Sequence, residues 1–227
     1  MNDSVFVATI DGPAGVGKGT LAKRLASKFN YLYLDSGAVY RAVASRVIKN
    51  KIDTNDITAV AHTAKGLALD FPAEKNYQAH VNGENIDADL RLESCSNIAS
   101  KIASIPEVRA EVLDLQRSFQ NAPGLIADGR DLGSVVFPRA QAKIFLDASC
   151  EERAQRRYKQ LINQGISASF DHLFDSIRAR DERDRTRSTS PLVAAKGAWV
   201  IDSTELTIDE VFSLAADYIQ QRFPMSK

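Results

Sequence analysis

Residues 12–20 read Gly-Pro-Ala-Gly-Val-Gly-Lys-Gly-Thr, and this run leaves the chain few folds to choose from. An apolar stretch, Val5–Ile10, precedes it, and Leu21, Leu25 and Phe29 follow at helical spacing. A strand, a loop of the form Gly12-x4-Gly17-Lys18 and a helix form the setting of a phosphate-binding P-loop. Glycines let backbone N–H groups approach phosphate oxygens, and the helix N-terminus adds partial positive charge. Lys18 can reach the β- and γ-phosphates. Gly12, Pro13, Ala14, Gly15, Val16, Gly17, Lys18, Gly19 and Thr20 are therefore the expected ATP-binding set. One position departs from the usual loop. The Ser or Thr that normally follows the lysine is Gly19, and the hydroxyl appears one residue later, at Thr20. No direct protein ligand is then expected for Mg²⁺, which would ride on ATP phosphates and water.

Five short apolar runs read as buried strands: Val5–Ile10, Tyr31–Leu34, Leu125–Ala127, Lys143–Leu146 and Trp199–Ile201. Between them lie helical stripes, such as Val39/Val43/Val47 and Val108/Val112/Leu115/Phe119, and a last one at Val211/Leu214/Ala215/Tyr218. Three capping boxes are expected, at Ser104–Glu107, Ser149–Glu152 and Thr207–Glu210. The alternation implies an α/β fold with a five-stranded parallel sheet covered on both faces. Two stretches interrupt it. Residues 36–104 are too long for one crossover, and Leu67–Phe71, Tyr77–Val81 and the Asn82-Gly83 turn suggest a small antiparallel insertion. Residues 149–190 are dense in charge. One domain over 1–227 is expected, with a core of 1–35, 105–148 and 191–227, the insertion at 36–104, and a helical lid at 149–190. Ligands of such sheets bind at the carboxyl ends of the strands, where both interruptions leave.

The 29 basic and 29 acidic side chains cancel, which argues against a nucleic-acid partner. Cys95 and Cys150 have no disulfide or zinc spacing. Met1–Ser4 lacks a basic leader region and Val5–Ile10 is too short to span a membrane, so a cytoplasmic protein is expected. His62, His80 and His172 are scattered, and no side-chain dyad suggests a covalent intermediate. Direct in-line transfer is the expected chemistry.

The pattern Gly-Lys-Gly-Thr resembles the nucleoside monophosphate kinases. Asp35-Ser-Gly-Ala-Val-Tyr-Arg41, Ile126-Ala-Asp-Gly-Arg-Asp131 and Arg180-Asp-Glu-Arg-Asp-Arg-Thr-Arg187 then resemble the bacterial cytidylate kinase family, over essentially the whole chain. The resemblance implies transfer of the γ-phosphoryl group of ATP to CMP or dCMP, with residues 36–104 as a monophosphate-binding insertion. It implies that Arg41 holds the acceptor phosphate, and that Asp131, Arg109 and Ser100 read the base. Ser36 would join the same pocket. Arg130 and Asp128 end the third strand, at the catalytic edge, with Asp128 orienting water around Mg²⁺. Arg180, Asp184 and Arg187 are spaced four and three, on one helix face. That face offers cations for phosphate and a carboxylate for ribose. Lys18, Asp128, Arg130, Arg180 and Arg187 form the expected catalytic set, and Arg156, Arg157 and Arg183 are candidates on the ATP side. Cytosine has an amino donor beside two acceptors, which suits a carboxylate with an arginine; uracil reverses that polarity and should be the weaker substrate. The competing readings are a UMP- or AMP-preferring kinase of the same class and a non-catalytic nucleotide-binding protein. The resemblance favours a monomer, and no membrane partner is expected.

Overall fold

The computed structural model describes residues 5–90 and 92–223. Met1–Ser4, on which part of the argument against a leader rests, lies outside the described residues. In chain order the elements are β1 (Val7–Asp11), α1 (Lys18–Phe29), β2 (Leu32–Asp35), α2 (Ser36–Lys49), α3 (Ile57–Ala64), β3 (Leu69–Asp70), β4 (His80–Val81), β5 (Glu84–Asn85), α4 (Asp87–Leu90), α5 (Glu93–Ile102) and α6 (Pro106–Ser118). There follow β6 (Leu125–Gly129), a wide helical turn at Leu132–Val136, β7 (Ala142–Asp147), α7 (Cys150–Asn163), α8 (Phe170–Thr186), β8 (Trp199–Asp202) and α9 (Ile208–Gln220).

The five expected strands form one parallel sheet in the order β2-β6-β1-β7-β8. They carry runs of aliphatic residues because helices cover both faces. Ile10, Leu34, Leu125, Ile126, Ile144 and Leu146 are all buried. Register decides what meets at the carboxyl edge. Asp35 pairs with Asp128, so these two acids sit side by side at the ends of β2 and β6, while Asp11 ends β1 opposite Gly129.

The insertion contains a three-stranded antiparallel sheet, β3-β4-β5. Asn82 and Gly83 both take positive φ, 52° and 82°, the conformation a tight hairpin needs. The expected second strand is shorter than its apolar pattern, because a helical turn at Ala73–Lys75 and a left-handed Tyr77 (φ 53°) delay pairing until His80. The capping boxes also divide. Thr207 and Glu210 cap α9 reciprocally. Ser149 accepts from the Glu152 N–H, but the Glu152 carboxylate turns to Arg156 at 2.8 Å. Ser104 does not cap α6. Its hydroxyl donates to the Lys101 carbonyl, and the helix starts one residue later on Pro106, whose fixed φ and missing N–H suit a first helical position. No helix among the described residues is long and apolar enough to cross a membrane.

Candidate active site

The loop between β1 and α1 is shaped by packing as well as by its ligand. Gly12 has φ +152°, and a Cβ there would stand 2.0 Å from the Leu146 carbonyl oxygen. This glycine is demanded by β7, and with Pro13 and Val16 it forms the back of the loop. Ala14, Gly15, Gly17, Lys18, Gly19 and Thr20 instead line a cleft of about 340 Å³. Helix α1 starts on Gly17 (φ +97°), with no side-chain cap and no acid in its first turn. Its first N–H groups and dipole therefore face the cleft without competition, as an anion site requires. Lys18 is buried and donates to the Pro13 carbonyl at 2.6 Å.

The opposite wall comes from the starts of α2 and α6, the ends of α5 and β6, and α8. It contains Ser36, Arg41, Ser100, Arg109, Asp128, Arg130, Asp131, Arg180, Asp184 and Arg187. Every expected residue beyond the loop, apart from the three ATP-side arginines, thus lines one cleft. Most are already paired. Arg41 reaches Asp35 at 2.8 Å, while Asp35 also caps α2 through the Ala38 N–H. Arg109 is ion-paired with Asp131, and Arg187 approaches the other Asp131 oxygen at 3.9 Å. Arg130 donates to Asp184 at 2.9 Å. Ser36 is buried and accepts from the Gln116 amide at 2.9 Å.

The cations at the centre are under strain. Burial, together with Arg130 and Arg180, pushes the Lys18 ammonium well below its ordinary value, against the pull of Asp128. Burial and then Arg130 bring Arg180 down to about 10. Arg180 Nε, Arg187 Nη2 and the Ser100 hydroxyl are buried without a hydrogen-bond partner. A native site that leaves buried donors unpaired around clustered cations is arranged for an anionic, hydrogen-bonding ligand.

The acids are displaced in the other direction. Burial, then the charge of Asp35, raises Asp128 to about 7, although Lys18 and Tyr33 favour its ionised form. A carboxyl raised in the folded state stabilises the fold at low pH and loses that contribution as pH rises through its folded pKa. Asp128→Asn should therefore melt above the parent at pH 8, and the gain should be smaller at pH 5; thermal melts at both pH values check this.

Sequence reading missed several residues here. Asp11 accepts from the N–H groups of Leu132 and Gly133, at 2.9 and 2.8 Å, and so fixes the turn after β6. Arg153, on α7, is fully buried. It donates to the Ala14 carbonyl of the loop at 2.9 Å, to Ala148 at the end of β7 at 3.1 Å, and to Asp181 on α8. It is the side chain that fastens α8 to the loop. The sequence singles out Arg156 and Arg157 on the same helix instead. Arg156 bonds Glu152 and the Ser203 carbonyl, and Arg157 is exposed beside Gln160. Neither they nor Arg183 line the cleft or a second cavity of about 470 Å³. That cavity lies beyond Arg153, between the ends of β7 and β8 and helix α8, and its walls mix charges: Arg178 and Arg185 beside Asp147, Asp181, Glu182 and Asp202. The usable signal was the phase of α7, since Ser149 caps it and Arg153 closes its first turn.

The chain is similar to known proteins over most of its length. The family model described as cytidylate kinase matches residues 8–221. A cytidylate kinase of Pasteurella multocida (strain Pm70) is 50% identical over 217 residues, covering 95% of this chain and 96% of its own. One from Vibrio vulnificus (strain YJ016) is 47% identical, covering 98% and 99%. Among solved structures, an uncharacterized protein from Eubacterium ventriosum ATCC 27560 superposes with a TM-score of 0.53 at 11% identity, covering 96% of this chain and 99% of its own, a likeness of fold alone.

Proposed function

The chain belongs to the cytidylate kinase family, and on that premise we propose that its cleft passes the γ-phosphoryl group of ATP directly to CMP or dCMP. The observation that carries this reading is the two-sided cleft: a P-loop on one wall, and on the other an arginine cluster beside a carboxylate–arginine pair. A simple nucleotide sensor has no use for the second wall.

Phosphoryl transfer needs positioning and charge neutralisation more than covalent help. On ATP binding Lys18 leaves the Pro13 carbonyl for the β- and γ-phosphates, while the N–H groups at the start of α1 hold their oxygens. Arg130, Arg180 and Arg187 surround the phosphoryl group in flight, and Arg41 holds the acceptor phosphate. Asp184 offers its carboxylate to the ribose. Asp131 accepts from the cytosine amino group, Arg109 donates to the ring acceptors, and Ser100 and Ser36 complete the pocket. Gln116 orients Ser36.

Mg²⁺ would be carried by the ATP phosphates and water. Asp128, at the strand end beside Lys18, would hold that water, and the ion would neutralise phosphate charge. Residues 36–104 serve as the monophosphate-binding part and 149–190 as a lid that excludes water. A cytoplasmic monomer with UMP as a weaker substrate and no nucleic-acid or membrane partner completes the reading.

ADP release measured in parallel with CMP, dCMP, UMP, AMP, GMP and no acceptor tests it. CMP and dCMP should lead, UMP should trail, and the blank should be near zero. AMP outpacing CMP would move the chain to another kinase class, and ATP hydrolysis independent of acceptor would remove the two-nucleotide mechanism.

A further inference from the structure

The loop lacks the hydroxyl that usually follows its lysine, and a hydroxyl from elsewhere lies beside that space. The side chain of Tyr33, on β2, crosses beneath the first turn of α1. Its phenol oxygen is 3.7 Å from where a Cβ on Gly19 would be, and apart from the adjoining residues and the helix's own backbone no other described heavy atom lies within 4 Å of that point. The same O–H donates to Asp128 Oδ1 at 2.7 Å. In P-loop enzymes the Ser or Thr after the lysine and the acid at the strand end serve Mg²⁺ together. Here the acid is in place and its hydroxyl partner comes from a neighbouring strand.

Building on the reading above, we propose that Tyr33 is a positioning residue that replaces the missing loop hydroxyl, holding the Asp128 carboxylate in the orientation needed for the hydrated Mg²⁺ of the bound nucleotide. The ring is held for this task. It is 2% exposed and packs edge-on against Phe71 and Tyr77, with centroids 5.5 Å away in both cases, so the hydroxyl has little freedom to wander. Burial and the adjacent Asp128 raise the phenol well above its ordinary pKa, which keeps the O–H a donor. Gly19 has room to accept a side chain, since 3.7 Å is ordinary contact and its φ is not in the left-handed region. The hydroxyl can therefore be moved from β2 back to the loop by mutation.

The test compares the parent, Tyr33→Phe and Tyr33→Phe/Gly19→Ser. Phenylalanine keeps the ring contacts and removes only the donor, leaving a buried carboxylate oxygen unpaired. The expected loss in kcat is about tenfold, with KM for CMP within about twofold. Calorimetry with ADP, in Mg²⁺ and in excess EDTA, supplies a second readout. Affinity without metal should be unchanged in Tyr33→Phe, whereas the gain on adding Mg²⁺ should shrink severalfold. Serine at position 19 should restore most of both. An unchanged Mg²⁺ gain in Tyr33→Phe overturns the proposal. So does an equal loss with and without metal that serine fails to repair, because that would mark a packing role. If the parent itself proves inactive on CMP, the functional reading falls, and the calorimetric comparison still decides the role of Tyr33.

Discussion

Arg180→Met should lower kcat for CMP about 1,000-fold and, at the same time, raise the melting temperature. The two effects share one cause. In the cleft Arg180 is half-buried, its inaccessible Nε has no hydrogen-bond partner, and Arg130 and Lys18 repel it, with Asp184 the main compensation. Its pKa is brought down to about 10, so the folded state holds this cation at a cost that the unfolded chain does not bear. Methionine keeps much of the volume and removes the charge. In a domain of this size each ~1 kcal/mol recovered raises Tm by about 2–4 °C. During transfer the balance reverses, because the phosphoryl group carries charge on its equatorial oxygens and a buried arginine stabilises it far more than water does. Loss of such an arginine costs about 10³-fold or more in rate. Thermal melts and steady-state rates on the same preparation settle it. A variant that loses rate and stability together would make Arg180 a structural cation, and one that keeps its rate would remove it from the reaction.

The same tension explains what could be read from sequence. The strands were legible because a sheet covered on both faces needs uninterrupted apolar runs, and the P-loop because a strand, glycines and lysine in series serve little else. Resemblance added the far wall, and the side chains it named do line one cleft. What stayed hidden were the residues that support them through partners distant in sequence. Tyr33 and Asp128 are 95 positions apart, Asp11 and Leu132 121, and Arg153 and Ala14 139. Each looks ordinary in its own segment. Tyr33 reads as one more aromatic in a buried strand, and Arg153 as one of several arginines on a charged helix. Their meaning comes from sheet order and helix phase, which place β2 beside β6 and turn one face of α7 toward the loop. Ser104 shows the same limit locally, since the capping pattern was present and Pro106 moved the helix start past it.

Asp131→Asn should narrow the preference for CMP over UMP, and its stability cost separates base reading from support. Asp131 is 4% exposed by side chain and faces two buried arginines, Arg109 and Arg187. Removing one charge from a buried pair typically costs about 3–5 kcal/mol, most of it from the cation left behind. The asparagine carbonyl can still accept from one arginine, so a lower Tm with a folded protein is expected. The amide then presents N–H where the carboxylate presented an acceptor. Against the cytosine amino group that places donor on donor, a loss of about 100-fold in kcat/KM on the scale of an unpaired buried polar group. Against uracil, whose position-4 oxygen accepts, the same N–H is favourable, so UMP should lose much less. Arg109 is unchanged in the variant, so a change in the CMP to UMP ratio belongs to position 131. If both substrates fell by the same factor while Tm dropped, Asp131 would be only the clamp between two arginines. A ratio that closes by tenfold or more, measured at a temperature where the variant is folded, makes the clamp and the cytosine reader one carboxylate.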